Sequence, residues 1–148
     1  MNEHPTPSPS AIQASRDVRA VISRVRRRIL KASEVEDLTL GQASVLARLS
    51  DKPGVTASEL AAAEHVRHQS MTTTVASLAA RGLVERTPDP HDGRRLLITL
   101  TPEGSRRVAE GRQARTEWLA ARLQERCTED ERQTVIAAMA VLERLARD

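Results

Sequence analysis

The segment from Pro88 to Arg95 brings together side chains that could bind a charged surface. Arg94 and Arg95 follow a sequence dense in Pro, Asp and Gly, and β-prone runs lie on either side of it. An Asp-Gly pair between such runs is a strong hairpin signal, so both guanidinium groups are expected just after a hairpin tip. A guanidinium in that position can enter the minor groove of DNA. We expect Asp92 to hold the Arg94 guanidinium in a bidentate pair; the alternative is a solvated turn whose charges cancel.

A second candidate surface precedes this hairpin. Between His65 and Leu83 there is no Asp or Glu, whereas Arg67, Arg81 and two histidines are present. A helix that approaches the negative field of DNA needs such an acid-free face. The sequence therefore predicts a DNA-facing helix near residues 68–81, with the hairpin at 88–95 as its companion.

No arrangement typical of an enzyme is present. The chain has no nucleophile with a paired base and no Gly-rich phosphate loop, and its four histidines do not stand at metal-ligand spacing. We therefore expect no catalytic residues, no cofactor and no metal. The single cysteine, Cys127, excludes an internal disulfide and is interpreted as an inert, partly buried thiol rather than a redox sensor.

The aromatic content narrows the kind of nucleic acid. Trp118 is the only aromatic side chain, since the chain has no Phe and no Tyr. Proteins that bind single strands stack the bases on aromatic rings, so duplex DNA is the expected ligand. Trp118 itself is expected in a dimer core rather than as a ligand platform.

Length and charge set the general class. The 148 residues suffice for a substantial core, and the net charge of +3 is only weak evidence for nucleic acid. There is no apolar run of about 18 residues, and the first ten residues do not resemble a secretory signal. We expect a cytoplasmic protein without a membrane segment, with residues 1–9 as a disordered tail.

Helix starts are marked by capping boxes, in which a Ser or Thr and a Glu or Gln three residues later satisfy each other's backbone N–H groups. Such pairs stand at Ser10/Gln13, Thr39/Gln42, Thr56/Glu59 and Thr128/Glu131. With the apolar periodicity they predict a mainly α fold with a small β-hairpin wing, in the order α-α-α-α-β-β-α-α. Helices are expected near 10–31, 40–49, 57–64, 69–81, 102–126 and 129–147, and strands near 83–87 and 95–100.

From Asp89 to Gly104 the sequence DPHDGRRLLITLTPEG resembles the wing signature of MarR-type transcriptional regulators, Asp-x-Arg followed by an apolar strand and Leu-Thr-x-x-Gly. The resemblance extends through Leu83–Arg86, and the helix order fits from about Ser10 to Arg147. It implies a winged helix-turn-helix domain at 39–101 and a helical dimerisation region made of 10–38 and 102–148.

The resemblance also implies roles for single residues. Asp92 would brace Arg94 at the wing tip, and Arg86 would contact a phosphate. Some relatives carry arginine where Thr73 and Ser77 stand here, and a hydroxyl lacks the bidentate grip of arginine on guanine. Arg67 and His68 could supply part of that contact, or they could be solvated turn residues. The candidate DNA-binding residues are Arg67, His68, Gln69, Ser70, Thr72, Thr73, Ser77, Arg86, Asp92, Arg94 and Arg95.

The implied function is a homodimeric regulator that binds a palindromic operator in double-stranded DNA, most simply a repressor released by a small aromatic or amphipathic effector. Independently of the resemblance, apolar stripes on the first helix and the last two favour a two-fold dimer over a monomer. The effector residues are not identified; the pocket would be lined by helices near 18–30, 40–49 and 105–119. The alternative is a dimeric protein-interaction module of the same fold with little sequence-specific DNA reading.

Overall fold

The computed structural model describes residues 6–32 and 37–147 of the chain. Its elements are α1 (Pro9–Ala32), α2 (Leu40–Asp51), α3 (Ala57–Glu64), α4 (His68–Ala80), β1 (Val84–Pro88), β2 (Leu96–Leu100), α5 (Pro102–Arg126), α6 (Glu129–Glu143) and a 3₁₀ turn (Arg144–Ala146). This order confirms the predicted mainly helical winged fold, with the hairpin directly after α4. The predicted disordered tail lies largely outside the described residues.

Three of the four predicted capping boxes are present. At the starts of α2, α3 and α6 the threonine side chain accepts from the backbone N–H three residues on, and the Glu or Gln side chain accepts from the threonine N–H. These reciprocal bonds satisfy N–H groups that the first turn of a helix leaves without a partner. The helix starts at Thr39, Thr56 and Thr128 are therefore fixed by local sequence.

The predicted box at Ser10 is wrong. Helix α1 begins one residue earlier, at Pro9, and the Ser8 Oγ accepts a hydrogen bond from the Ala11 N–H at 3.2 Å. The Gln13 side chain donates to Asp17. Proline suits the first helical position because no N–H is required there.

The wing is a two-stranded antiparallel hairpin whose register runs from Val84↔Leu100 to Pro88↔Leu96. Loop 89–95 joins the strands, and the Arg95 N–H donates to the Asp92 carbonyl at 2.9 Å within it. Gly93 does not have a positive φ. The Asp-Gly pair therefore lies in a longer loop and does not form the two-residue turn that it favours in many hairpins.

A short third backbone pairing extends the hairpin. The Ile98 N–H donates to the Val55 carbonyl at 2.8 Å, and the Gly54 N–H donates to the Ile98 carbonyl at 3.1 Å. Gly54 has a φ of 72°, which glycine adopts without steric cost. The sequence did not predict this pairing between the middle of β2 and the α2–α3 connection.

The chain divides into two compact units. Unit 2 comprises residues 34–114, and its core brings α2, α3, α4, the hairpin and the start of α5 together. The most deeply buried side chains of this core are Val45, Leu46, Leu49, Leu60, Val75, Leu78 and Ile98. Burial of this apolar set is what holds the helices and the wing in place.

The Leu-Thr-x-x-Gly segment has a direct physical role at the start of α5. The Thr101 hydroxyl donates to the Gly82 carbonyl at 2.6 Å, and the Gly104 N–H donates to the Thr101 Oγ at 3.0 Å. A Cβ on Gly104 would lie 2.0 Å from the Leu83 carbonyl oxygen. The glycine is thus required by close packing of α5 on the connection between α4 and the wing.

Unit 1 comprises residues 1–33 and 115–148. Neither α1 nor α6 has a buried residue. The exposed large apolar residues among the described part of this unit are Ile12, Val21, Ile22, Val25, Val135, Ile136, Met139, Val141 and Leu145. Except for Leu142, which is half-buried, the apolar residues of α6 are exposed in the single chain, because unit 1 contains too few helices to cover them.

Candidate nucleic-acid interface

Helix α4 has one buried face and one exposed polar face. Met71, Val75 and Leu78 are buried in the core of unit 2. Gln69 and Thr73 stand on the opposite side and are exposed, as the period of 3.6 residues per turn requires. From His68 to Ala80 the helix contains no Lys, Arg, Asp or Glu. The outer surface is therefore small, polar and free of acids.

The first turn of α4 differs from that of α2, α3 and α6. Arg67 occupies the N-cap position, and no side chain caps the helix. Within residues 6–32 and 37–147, the N–H groups of His68, Gln69 and Ser70 have no acceptor. Arg67 and His68 are exposed and form no ion pair with a described residue. This end of the helix presents donors and positive charge to solvent.

The threonine hydroxyls of α4 are engaged within the helix. Thr72 Oγ1 donates to the His68 carbonyl at 3.0 Å, and Thr73 Oγ1 donates to the Gln69 carbonyl at 3.1 Å. Thr74 repeats the pattern one residue on. Each side chain thereby uses its only hydroxyl hydrogen on its own helix.

Ser77 is set apart from the other candidate residues of α4. It is half-buried, and its Oγ accepts a hydrogen bond from the Gln42 side chain of α2 at 3.0 Å. The structure therefore directs Ser77 toward α2 and does not place it with the exposed row that begins at Gln69.

The wing loop is shaped by two aspartates. Asp92 Oδ1 accepts from the Arg94 backbone N–H at 3.1 Å, and Asp89 Oδ1 accepts from the His91 N–H at 2.8 Å. The expected bidentate pair between Asp92 and the Arg94 guanidinium is not formed, so that prediction is wrong. The carboxylate is held by the backbone of its own turn, as Asp residues commonly are. Among the described residues the Arg94 guanidinium has no partner.

Arg95, in contrast, is close to two acids. Its guanidinium lies 3.6 Å from Glu59 of α3 and 3.8 Å from Asp89. Hydrogen bonds from the Thr56 N–H and hydroxyl hold the pKa of Glu59 below its ordinary value, and Arg95 adds a smaller effect in the same direction. The capping role of Glu59 was visible in the sequence, but its proximity to the wing depends on tertiary packing.

Arg86 is exposed in the middle of β1, opposite Ile98 in the register. It forms no ion pair or side-chain hydrogen bond within the described part of the chain. Its guanidinium is thus accessible, as a phosphate contact requires.

The C-terminal end of α4 is held by a carboxylate that the acid-free stretch of sequence does not reveal. Asp37 lies 2.5 Å from Arg81 and 2.5 Å from Arg107, and its carbonyl accepts from Arg81 at 2.6 Å. The hydrogen bond from Arg107 lowers the pKa of Asp37, with both guanidinium charges contributing. Arg81 is therefore paired within unit 2, and the positive character of α4 is concentrated at its N-terminus.

Each unit contains a cleft among its described residues. In unit 1, a cleft of about 260 Å³ is lined by Val25, Arg28, Trp118, Leu119, Arg122 and Arg126. The Arg122 guanidinium lies 5.8 Å from the Trp118 ring centre, in cation–π range. In unit 2, a cleft of about 430 Å³ lies between α2 and α3 and contains Arg48, which pairs with Glu64 at 2.7 Å.

The single cysteine, Cys127, is half-buried.

Over the described ranges, no helix is both long and apolar enough to cross a bilayer. In the same part of the chain, no group of three or more His, Cys, Asp or Glu side chains is placed to bind a metal ion.

Comparisons with known proteins identify what this architecture resembles. A sequence model of the MarR family matches residues 36–95. The chain is 38% identical to an HTH-type transcriptional regulator of Mycobacterium bovis over 107 aligned residues. The alignment covers 72% of this chain and 75% of that protein. A Pseudomonas aeruginosa crystal structure superposes with a TM-score of 0.78 at 31% identity, over 96% of this chain and 99% of that one. The crystal structure of a mutant of MarR from Escherichia coli superposes with a TM-score of 0.72 at 26% identity, over 86% of this chain and 94% of that one.

Proposed function

The chain belongs to the MarR family of HTH transcriptional regulators, whose members bind operator DNA, and on this basis we propose that it is a homodimeric repressor of a palindromic operator. The family is one of transcription factors, not of enzymes. The observation that carries the proposal is the exposed, acid-free face of α4, followed in the chain by a wing arginine, Arg94, that has no partner among the described residues.

In the proposed complex, α4 lies in the major groove and its first turn contacts the phosphate backbone. Support comes from the N–H groups of His68, Gln69 and Ser70, which have no acceptor in the described part of the chain, and from the neighbouring Arg67, since helix N-termini bind anionic oxygens. Arg86 on β1 adds a phosphate contact. Residues Gln69, Thr72 and Thr73 face the base edges.

The wing places Arg94 in the adjacent minor groove. A narrow minor groove attracts arginine side chains because the negative electrostatic potential of DNA is strongest in it. In this arrangement Asp92 acts through the backbone: it fixes the turn from which Arg94 projects. Arg95 contributes less, because Glu59 and Asp89 already offset its charge.

Dimerisation would cover the apolar faces of α1 and α6. These helices contain no buried residue, and Ile22, Ile136 and Met139 are each at least half exposed in the single chain. A large apolar surface of this kind favours association. A two-fold dimer would present two copies of α4 to half-sites about one helical turn apart, which is why we propose a palindrome.

We further propose that a small aromatic or amphipathic anion releases the repressor. The cleft beside Trp118 supports an anionic ligand, because Arg28, Arg122 and Arg126 line it, although Arg122 also pairs with Glu125 at 2.9 Å. In this proposal Trp118 lines a ligand cleft, whereas the sequence predicted a dimer-core role for it. Release would follow if the bound dimer no longer matched the half-site spacing.

Selection of bound sites from random duplexes tests the proposal. We expect one enriched palindrome, bound by a species with the mass of a dimer in sedimentation. Arg94→Ala should weaken binding strongly and lower the salt slope by about one, whereas Arg147→Ala, at the far end of the chain, should change neither. Failure to enrich any palindrome would favour a protein-interaction module of the same fold.

A further inference from the structure

We propose that α4 recognises A·T base pairs, through the methyl groups of Thr72, Thr73 and Ala76 against thymine and through the Gln69 amide against adenine. The proposal rests on the placement of α4 in the major groove proposed above. It concerns the part of each half-site that this face of the helix covers.

The outermost row of α4 contains little besides methyl groups. Gln69, Thr73 and Ala76 recur at intervals of four and three residues on the side opposite Met71 and Val75, and all three are exposed. Beyond the single amide of Gln69, this row has no charged group and no long polar side chain.

The hydroxyl hydrogens of the threonines are already used. Thr72 and Thr73 donate to the carbonyls of His68 and Gln69 at 3.0 and 3.1 Å. A hydroxyl has one hydrogen, so neither side chain can donate to the N7 and O6 acceptors of guanine while these bonds persist. In this rotamer the Cγ2 methyl group is the apolar part that each threonine offers to the groove.

The base edges that match such a surface belong to A·T pairs. Thymine carries a C5-methyl group in the major groove, which threonine and alanine methyls contact, and glutamine forms a bidentate pair with adenine. Guanine is recognised chiefly by arginine or lysine, and α4 has neither between His68 and Ala80. Arg67 lies before the helix and Arg94 on the wing, so both are outside this row.

Replacement of thymine by deoxyuridine isolates the methyl group. In the duplex selected by the wild-type dimer, each thymine of one half-site is replaced in turn, and the Kd is measured by fluorescence anisotropy. We expect about a fourfold loss of affinity at each contacted thymine, since one buried methyl group is removed there. Replacement outside the α4 footprint should have no effect.

Two substitutions of Thr73 separate its methyl from its hydroxyl. Thr73→Ser keeps the hydroxyl and removes the methyl, so at the thymine that Thr73 contacts it should bind the thymine and deoxyuridine duplexes with the same affinity. Thr73→Val keeps a methyl in place without the hydroxyl, so it should retain the discrimination. Because Thr73 is exposed, both variants should keep wild-type melting temperatures, which circular dichroism checks.

Different experimental outcomes would overturn the A·T inference and the proposed DNA-binding function. If a palindrome is enriched but deoxyuridine binds as well as thymine, or G·C pairs are selected beneath α4, the A·T inference fails and the proposed function stands. If Thr73→Ser retains the discrimination and Thr73→Val loses it, the hydroxyl is the contact and the inference is again wrong. If no duplex is enriched, the proposed function fails and takes this inference with it.

Discussion

Asp92 Oδ1 lies 3.1 Å from the backbone nitrogen of Arg94 and fixes the turn from which that arginine projects. The carboxylate therefore acts on the position of the main chain, and the guanidinium of Arg94 is available for another partner. This distinction between a backbone contact and an ion pair can be tested by mutation.

Asp92→Asn should bind operator DNA nearly as well as wild type, because the asparagine Oδ1 can accept the same hydrogen bond. Asp92→Ala should lose about fivefold in affinity, the equivalent of one hydrogen bond of ~1 kcal/mol. Anisotropy titrations of both variants measure the difference. Equal losses for Asn and Ala would show that the charge of Asp92 matters and not its acceptor.

Glu59→Gln should strengthen DNA binding and steepen its salt dependence by up to about one unit of slope. Glutamine preserves the capping box of α3, while Arg95 loses the acid that lies 3.6 Å away. Plots of log Kd against log salt concentration measure the effect. Asp130→Asn makes the same charge change on α6 and should have little effect; a gain that persists in Glu59→Gln/Arg95→Ala would contradict the role given to Arg95.

Gly104→Ala should destabilise the protein by about 1–3 kcal/mol or more, because the added Cβ meets a backbone carbonyl and the helix must move. Gly41→Ala is the matched control in α2, where the nearest atom is 3.9 Å away. Alanine in that helix should stabilise by up to about 1 kcal/mol. Urea denaturation compares the two, and equal effects would show that packing at Gly104 is unimportant.

Asp37→Asn should lower the melting temperature slightly, and the effect should depend on pH. The folded protein holds the pKa of Asp37 below its ordinary value, so the stabilisation is fully present above about pH 4, near the unfolded pKa. It is lost as pH falls through the lower folded pKa, where wild type and variant should converge. Thermal melts across this range measure the convergence; a difference that stays constant down to the lowest pH would rule out the carboxylate charge as its source.

Ile136→Glu should weaken the proposed dimer. The residue is 60% exposed in the single chain, and an unpaired charge at an apolar interface costs about 2 kcal/mol or more, which is about 30-fold in the dissociation constant. Sedimentation equilibrium measures the change. Val66→Glu, at an exposed apolar residue of unit 2, should leave the dimer intact; an unchanged dimer in both would place the interface elsewhere.

Features encoded by neighbouring residues could be predicted from the sequence, and features that depend on chain folding could not. The capping boxes at Thr39, Thr56 and Thr128 connect residues three apart, so local sequence suffices. The pairing of Val55 with Ile98 joins segments that are distant in the sequence, and no periodic pattern of residues predicts it. The capping serine of α1 was misplaced by two residues, at Ser10 and not Ser8, because both offer an equivalent hydroxyl in the sequence.

The candidate site divides in the same way. The exposed row of α4 and the hairpin after it follow from amphipathic spacing and turn residues. The acids that pair with Arg81 and Arg95 come from other elements, Asp37 before α2 and Glu59 in α3. The hydroxyl rotamers of Thr72 and Thr73 are equally invisible in sequence, since a threonine in a helix can take either of two.

The wing loop makes its bonds almost entirely from its own residues. Asp89 and Asp92 each bind an N–H two residues on, and the Asp89 N–H donates to the Arg95 carbonyl at 2.9 Å, so the Arg95–Glu59 ion pair is its main outward tie. A loop that encodes its own shape can be exchanged as a cassette between hairpins of the same register. Substitutions at its tip should therefore leave the packing of the hydrophobic core, and with it the stability of the fold, unchanged.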